Sequence, residues 1–162
     1  MSDKSHLTAI VRKTKPVPTR WLLKHCPALN YTEAQFEELG IQVLDYGCGR
    51  CGPINFRTWD NYDPHYRPWS IWHKRQYDII ICNYVLCVLP QEERLKVLRD
   101  IQKRLKPKGL AYISVRNDRP KNGWGRSSRG TYQGRVRKLG LPLYHECAGF
   151  RIYWLTKKTE IV

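Results

Sequence analysis

The sequence predicts an α/β domain built around a mostly parallel sheet, and three observations carry that expectation. Tyr77-Asp78-Ile79-Ile80-Ile81-Cys82 is a nearly unbroken apolar run, the pattern of a strand buried on both faces. After Pro90, the residues Leu95, Leu98, Ile101 and Leu105 recur at helical spacing, with Val97 widening the stripe. Leu110-Ala111-Tyr112-Ile113-Ser114-Val115 is a second apolar run. Strand, helix and strand of these lengths form a βαβ crossover.

Taken in order, residues 1–30 read as a basic arm. Within it Lys13 to Thr19 is broken by Pro16 and Pro18, and Trp21-Leu22-Leu23 is a short apolar piece. Glu33 to Leu39 gives two turns of helix closed by Gly40. Ile41 to Tyr46 reads as a short strand, and Gly47-Cys48-Gly49-Arg50-Cys51-Gly52 as a tight turn after it. The helix beyond Pro90 carries Glu92 and Glu93 in its first turn and Lys103, Arg104 and Lys106 in its last, the signs that the helix dipole favours. Pro107-Lys108-Gly109 is expected to end it. Residues 117–138 show no apolar period and read as a loop. Leu141 to His145 and Phe150 to Thr156, separated by Glu146-Cys147-Ala148-Gly149, read as an antiparallel hairpin.

At 162 residues the chain has the size of one domain, 1–162, able to bury roughly 70% of its unfolded surface. An apolar fraction of 41% against 27% charged is a globular composition, not a disordered one. No stretch approaches the ~20 apolar residues of a membrane span, and Met1 to His6 open onto no apolar leader, so a cytoplasmic protein without a membrane partner is expected. In such a compartment the six cysteines, at 26, 48, 51, 82, 87 and 147, are expected to be reduced.

Charge is unevenly spread. The net +15 comes from the two ends, because residues 1–30 hold 6 bases and 1 acid, 31–102 hold 8 and 10, and 103–162 hold 15 and 3. A near-neutral middle flanked by basic segments points to a polyanion, with nucleic acid the expected partner.

Gly47-x-Gly49-x-x-Gly52 follows a predicted strand, the context that gives a glycine motif meaning. A dinucleotide site needs a helix directly after the loop. Pro53 to Thr58 leaves almost no room for one before Asp60 and Asp63. S-adenosylmethionine suits the acids better: Asp45, before the loop, faces a cationic amino-acid end, and Asp63 or Asp60, closing the second strand, accepts ribose hydroxyls. A plain glycine turn with surface acids is the simpler alternative.

Val43-Leu44-Asp45-Tyr46-Gly47-Cys48-Gly49-Arg50 resembles the first motif of class I S-adenosylmethionine-dependent methyltransferases. Tyr62-Asp63-Pro64-His65-Tyr66-Arg67-Pro68, Asn83-Tyr84-Val85-Leu86-Cys87-Val88-Leu89-Pro90 and Arg129-Gly130-Thr131-Tyr132-Gln133 resemble later motifs of one branch, the methyltransferases associated with DNA phosphorothioation and their short phage-type relatives. The resemblance implies a Rossmann-like, seven-stranded sheet with S-adenosylmethionine at the carboxyl ends of its strands. It implies that Asp45, Gly47, Cys48 and Gly49 line the methionine end, that Asp63 holds the ribose, and that Asn83 and Tyr84 stand where the methyl group leaves. Two features depart from the pattern. Cys51 stands where a third glycine is expected, and only ten residues separate Gly52 from Asp63, so the first crossover helix must be severely shortened. Residues 64–76 likewise leave little for a third strand. A reduced class I sheet with a C-terminal hairpin is therefore expected.

The acceptor is less constrained. Asn83 is followed by Tyr84-Val85 and not by the Pro-Pro-aromatic sequence of amino-methylating DNA enzymes, and Cys26-Pro27 reverses the Pro-Cys of cytosine-C5 enzymes. Residues 116–138 carry eight bases against one acid, Asp118. Arg116, Arg119, Lys121, Arg126 and Arg129 interleave there with Trp124 and Tyr132, a composition suited to single-stranded nucleic acid, and the resemblance implies that this segment lies over the site as a lid. His145, His65 and His73 are weaker candidates for a base, structural histidines being commoner. Cys48 and Cys51 form a C-x-x-C, but Cys82 and Cys87 are not spaced as a knuckle, so no metal is expected. Trp59, Trp69 and Trp72 read as filling the volume left by the shortened helix and strand. The expectation is a methyltransferase acting on or near nucleic acid. Its rivals are a cofactor-binding or nucleic-acid-binding regulatory protein without turnover, and an enzyme for a small molecule or protein.

Overall fold

A computed structural model describes residues 15–49, 56–118, 125–126, 132–134, 136 and 139–162, with the backbone alone at 125–126 and 132–133. Two short helices come first, α1 at Val17–His25 and α2 at Glu33–Leu39. The end of the Pro-broken arm, from Val17, is thus helical. Its prolines sit at the first turn, where a missing N–H costs nothing and the fixed φ suits the helix. Thr32 starts α2 through a capping box: Gln35 N–H donates to Thr32 Oγ1 at 3.2 Å, and Thr32 N–H to Gln35 Oε1 at 2.8 Å. Gly40 ends α2 at φ 65°.

The strands follow as β1 (Val43–Tyr46), β2 (Asp60–Tyr62), β3 (Tyr77–Asn83), β4 (Leu105–Arg116), β5 (Gly125–Arg126), β6 (Tyr132–Gln133), β7 (Leu143–Glu146) and β8 (Phe150–Thr156). A 3-10 turn at Leu86–Val88 and helix α3 at Gln91–Arg104 link β3 to β4. Six strands form one sheet in the order β2-β1-β3-β4-β8-β7, and β5 and β6 form a separate pair among the described residues. β1, β2, β3 and β4 run parallel, and the β7–β8 hairpin adds antiparallel to β4. Among the described residues the sheet therefore has one strand fewer than the resemblance implies. Residues 64–76, where a third strand was in question, form turns in its place. Among the described residues no helix stands between β1 and β2, in keeping with the shortened crossover.

The expected stop at Pro107-Lys108-Gly109 proves to be an irregularity inside β4. Arg104 ends the helix, Leu105 already pairs with Tyr77, and the register shifts before Leu110 pairs with Ile79. A Cβ on Gly109 would lie 2.9 Å from the Tyr77 carbonyl oxygen, so only glycine lets the two strands approach there.

Alternation along the strands divides the core in two. Leu44, Tyr46, Ile80 and Cys82 face Leu98 and Ile101 of α3, whereas Val43, Ile79 and Ile81 face Leu22 of α1 and Phe36 of α2. Trp59 fills that second side at 4% exposure, and Trp69 stacks on Tyr62. Trp72 does not fill space: it is 82% exposed. No helix among the described residues is long and apolar enough to cross a membrane.

Candidate functional site

The parallel strands end together, and the sequence changes character there. β1 stops at Tyr46, and Gly47 (φ 76°) and Gly49 (φ 65°) both take left-handed backbone. The bend folds toward β2, with the N–H groups of Gly47 and Cys48 donating to the Tyr62 carbonyl at 2.7 and 2.9 Å. A Cβ on Gly47 would fall 2.2 Å from Val85 Cγ2, so the absence of a side chain is also what lets the segment after β3 close over the bend.

Asp63 clamps the same turn from β2. Its Oδ2 accepts the Gly49 N–H at 3.0 Å, and its Oδ1 accepts the N–H groups of His65 and Tyr66 at 2.9 and 3.1 Å. The carboxylate is 6% exposed, and three donors use three of its roughly four acceptor directions. Asp60, the alternative, begins β2 and bonds the Tyr77 hydroxyl at 2.6 Å, at the opposite end of the strands. Asp45, 3% exposed, lies within β1 between Asn61 and Ile81 in register, on the face it shares with Val43.

At the end of β3, Asn83 is 2% exposed and its amide is engaged on both sides. Nδ2 donates to Thr19 Oγ1 of α1 at 2.7 Å, and Oδ1 accepts the Ser114 hydroxyl of β4 at 2.8 Å. Tyr84 follows with φ 61°, the single non-glycine residue with positive φ among those described, its N–H donating to the Ser114 carbonyl at 3.0 Å. Such backbone is held in place only when its surroundings over-determine it, and the Asn83 and Ser114 bonds supply that. Arg116 at the end of β4 sets its guanidinium 5.3 Å from the Tyr84 ring centre and makes a two-pronged bond to Asp118 at 2.9 and 2.7 Å. Burial pushes the Tyr84 hydroxyl up to about 12, with Arg116 working against the shift. At neutral pH Tyr84 is therefore a protonated donor with an aromatic face, and not a base.

The expected residues Asp45, Gly47, Cys48, Gly49 and Asp63 thus gather around one bend, and Asn83, Tyr84 and Arg116 stand at the neighbouring strand ends. Arg119, Lys121, Trp124 and Arg129 lie outside the described residues, as do Arg50, Cys51 and Gly52. The backbones of Arg126 and Tyr132 pair in register in β5–β6. His145 stacks on Trp21 with ring centres 3.8 Å apart, a packing contact. Thr19 and Ser114 were not foreseen. Ser114 had a signal, being the one small polar side chain in the apolar run 110–115, but Thr19 had none, since the segment that carries it reads as a Pro-broken arm.

A family model described as a methyltransferase domain matches residues 23–147. No curated protein sequence matches the chain. Among solved structures the chain is similar to a TehB-like SAM-dependent methyltransferase from Corynebacterium glutamicum, at 19% identity over 87% of this chain and 96% of that one, with a TM-score of 0.43. It is also similar to 1,6-didemethyltoxoflavin-N1-methyltransferase from Burkholderia thailandensis, a structure with bound 1,6-didemethyltoxoflavin and S-adenosylhomocysteine (13% identity, 85% and 81% covered, TM-score 0.48). An S-adenosylmethionine dependent methyltransferase from Mesorhizobium loti is a third such structure, at 12% identity over 70% of this chain and 89% of that one, with a TM-score of 0.44.

Proposed function

The chain belongs to the methyltransferase-domain family, and from that premise we propose that it transfers a methyl group from S-adenosylmethionine, at the carboxyl ends of β1 to β4, to an acceptor in or near nucleic acid. The residues at the bend fit this cofactor. It presents an ammonium group and ribose hydroxyls, all donors, and the bend offers two buried carboxylates, Asp45 in β1 and Asp63 just after β2, either side of left-handed glycines. Asp45 would hold the amino-acid end, with the backbone of Gly47, Cys48 and Gly49 alongside. Asp63 would accept a ribose hydroxyl in the direction its three backbone donors leave open.

When bound, the cofactor supplies an electrophilic methyl group with a good leaving group behind it, so alignment provides much of the rate. The chain's own contribution is positional. Asn83, tied to Thr19 and Ser114, fixes the end of β3 and with it the left-handed backbone of Tyr84. Tyr84 offers an acceptor a ring face and a hydroxyl donor.

Nucleic acid as the target is supported by the charge of residues 103–162 and by Arg116, whose guanidinium stands 5.3 Å from the Tyr84 ring centre. The motif resemblance to the phosphorothioation-associated branch points the same way. The observation that carries the reading is the convergence of Asp45, the left-handed Gly47 and Tyr84 at the ends of two hydrogen-bonded strands. The engagement of Asp63 by three backbone donors favours a second reading, in which the bend is a structural clamp and the protein binds nucleic acid without turnover.

Calorimetry with S-adenosylmethionine and S-adenosylhomocysteine, followed by labelled-methyl transfer to DNA, RNA and protein, tests both. Wild type should bind, and Asp45→Asn, still folded by circular dichroism, should lose on the order of 10-fold or more in affinity. No binding by wild type, or equal binding by Asp45→Asn, overturns the pocket. Binding without transfer to any acceptor selects the second reading.

A further inference from the structure

Residues 64–76 build a braced turn that points two apolar side chains into water. Trp69 anchors its start, stacked on Tyr62 with ring centres 3.8 Å apart and covered by the Arg104 guanidinium at 3.5 Å. His73 anchors its end through Nε2, 2.7 Å from the Asn61 carbonyl of β2, with its ring edge-on to Trp69. Between the anchors, Ser70 Oγ accepts the Trp72 N–H at 3.3 Å, and the Ser70 carbonyl accepts the His73 N–H at 3.2 Å. The Lys74 N–H, donating to Asp60 Oδ2 at 3.0 Å, fastens the exit. The result is an ordered tip on which Ile71 is 92% and Trp72 82% exposed.

Folding has buried Trp59 and sandwiched Trp69, yet it has spent several hydrogen bonds holding Trp72 outward. Bracing of this kind removes most of the ordering cost of binding before a partner arrives. Charge indicates the partner. Residues 64–76 include Arg67, Lys74 and Arg75, all exposed, and no acid. An exposed indole beside cations is the combination that stacks on an unpaired base while neutralising its phosphates. A two-residue tip offers too little apolar area for stable attachment to a lipid surface.

We propose that the Trp69–His73 turn binds single-stranded nucleic acid, Trp72 stacking on an unpaired base and Lys74 and Arg75 meeting the adjacent phosphates. The proposal rests on the nucleic-acid reading above and deepens it, adding a contact at the β2 edge of the sheet to the basic residues of 116–138.

Fluorescence anisotropy with labelled oligothymidylate, and with the duplex it forms with oligoadenylate, provides the test. Wild type should prefer the single strand, and Trp72→Ala should weaken that binding on the order of 10-fold with S-adenosylmethionine affinity unchanged. Trp72→Phe, which keeps a ring face, should recover most of the loss. Replacing Lys74 and Arg75 by Gln should shallow the slope of log affinity against log salt by about 1.4. Equal single-strand affinity in wild type and Trp72→Ala overturns the turn's role while leaving the nucleic-acid reading intact. Failure of wild type to bind either oligonucleotide overturns both. Trp72-dependent binding to phosphatidylserine vesicles without oligonucleotide binding reassigns the turn to a lipid surface and overturns the proposal.

Discussion

At Gly47 a single hydrogen atom decides whether the bend after β1 and the segment after β3 can close on one another. Val85 Cγ2 stands 2.2 Å from the place a Cβ would occupy, and valine, stiff about χ1, has little room to turn away. The φ of 76° adds its own penalty for any L side chain. Gly47→Ala is therefore expected to cost about 2–4 kcal/mol in urea unfolding. Gly47→Ala with Val85→Ala should show coupling, the steric part relieved and about 1–2 kcal/mol of backbone strain remaining. Strict additivity would show that Val85 is not the obstacle. Gly47, Gly49 and Asp63 were legible in the sequence because a bend after a strand and an acid closing the next strand are local patterns. Asn83 was legible as a position and not as a role. Its partners lie 64 and 31 residues away, and no spacing rule connects them.

Helix α1 shows the same limit one level up. Pro16 and Pro18 read as breaks because local propensity is all a sequence window offers, whereas the helix forms by burying Thr19 and Leu22 against the sheet. The parallel core was readable where burial is continuous, in β3 and β4, and α3 where its stripe is periodic. The turn at 64–76 was not, because its anchors on Tyr62, Asn61 and Arg104 come from other elements. The Thr19–Asn83 bond ties α1 to the end of β3, and that has a measurable consequence. Thr19→Val keeps the shape and removes the acceptor, leaving the buried Asn83 amide short of a partner at a cost of about 1–3 kcal/mol. Hydrogen exchange across residues 17–25 should accelerate in Thr19→Val and stay slow in Thr19→Ser. Unchanged protection in Thr19→Val would mean that packing around Leu22 alone holds the helix.

Over the whole molecule, the burial that raises Tyr84 acts on other tyrosines too and shapes the response to alkali. Tyr46, Tyr77, Tyr84 and Tyr112 are all pushed above the usual tyrosine range, burial being the largest cause in each; hydrogen bonds to Asp100 and Asp60 add to it at Tyr46 and Tyr77. An unfolded tyrosine loses its proton near 10. The folded chain keeps these protons longer and so binds more of them than the unfolded chain does, which means stability falls as pH rises above about 10. Each such tyrosine contributes up to about 1.4 kcal/mol per pH unit, and for Tyr84 the window closes at about 12. Lysines neutralise over the same range and relieve the self-repulsion of a chain carrying +15, which opposes the trend. Comparing wild type with Tyr84→Phe removes that shared background. The stability difference between them should be constant below pH 10 and should move in favour of the variant between 10 and 12 in urea melts. A difference independent of pH would place the Tyr84 hydroxyl in contact with solvent.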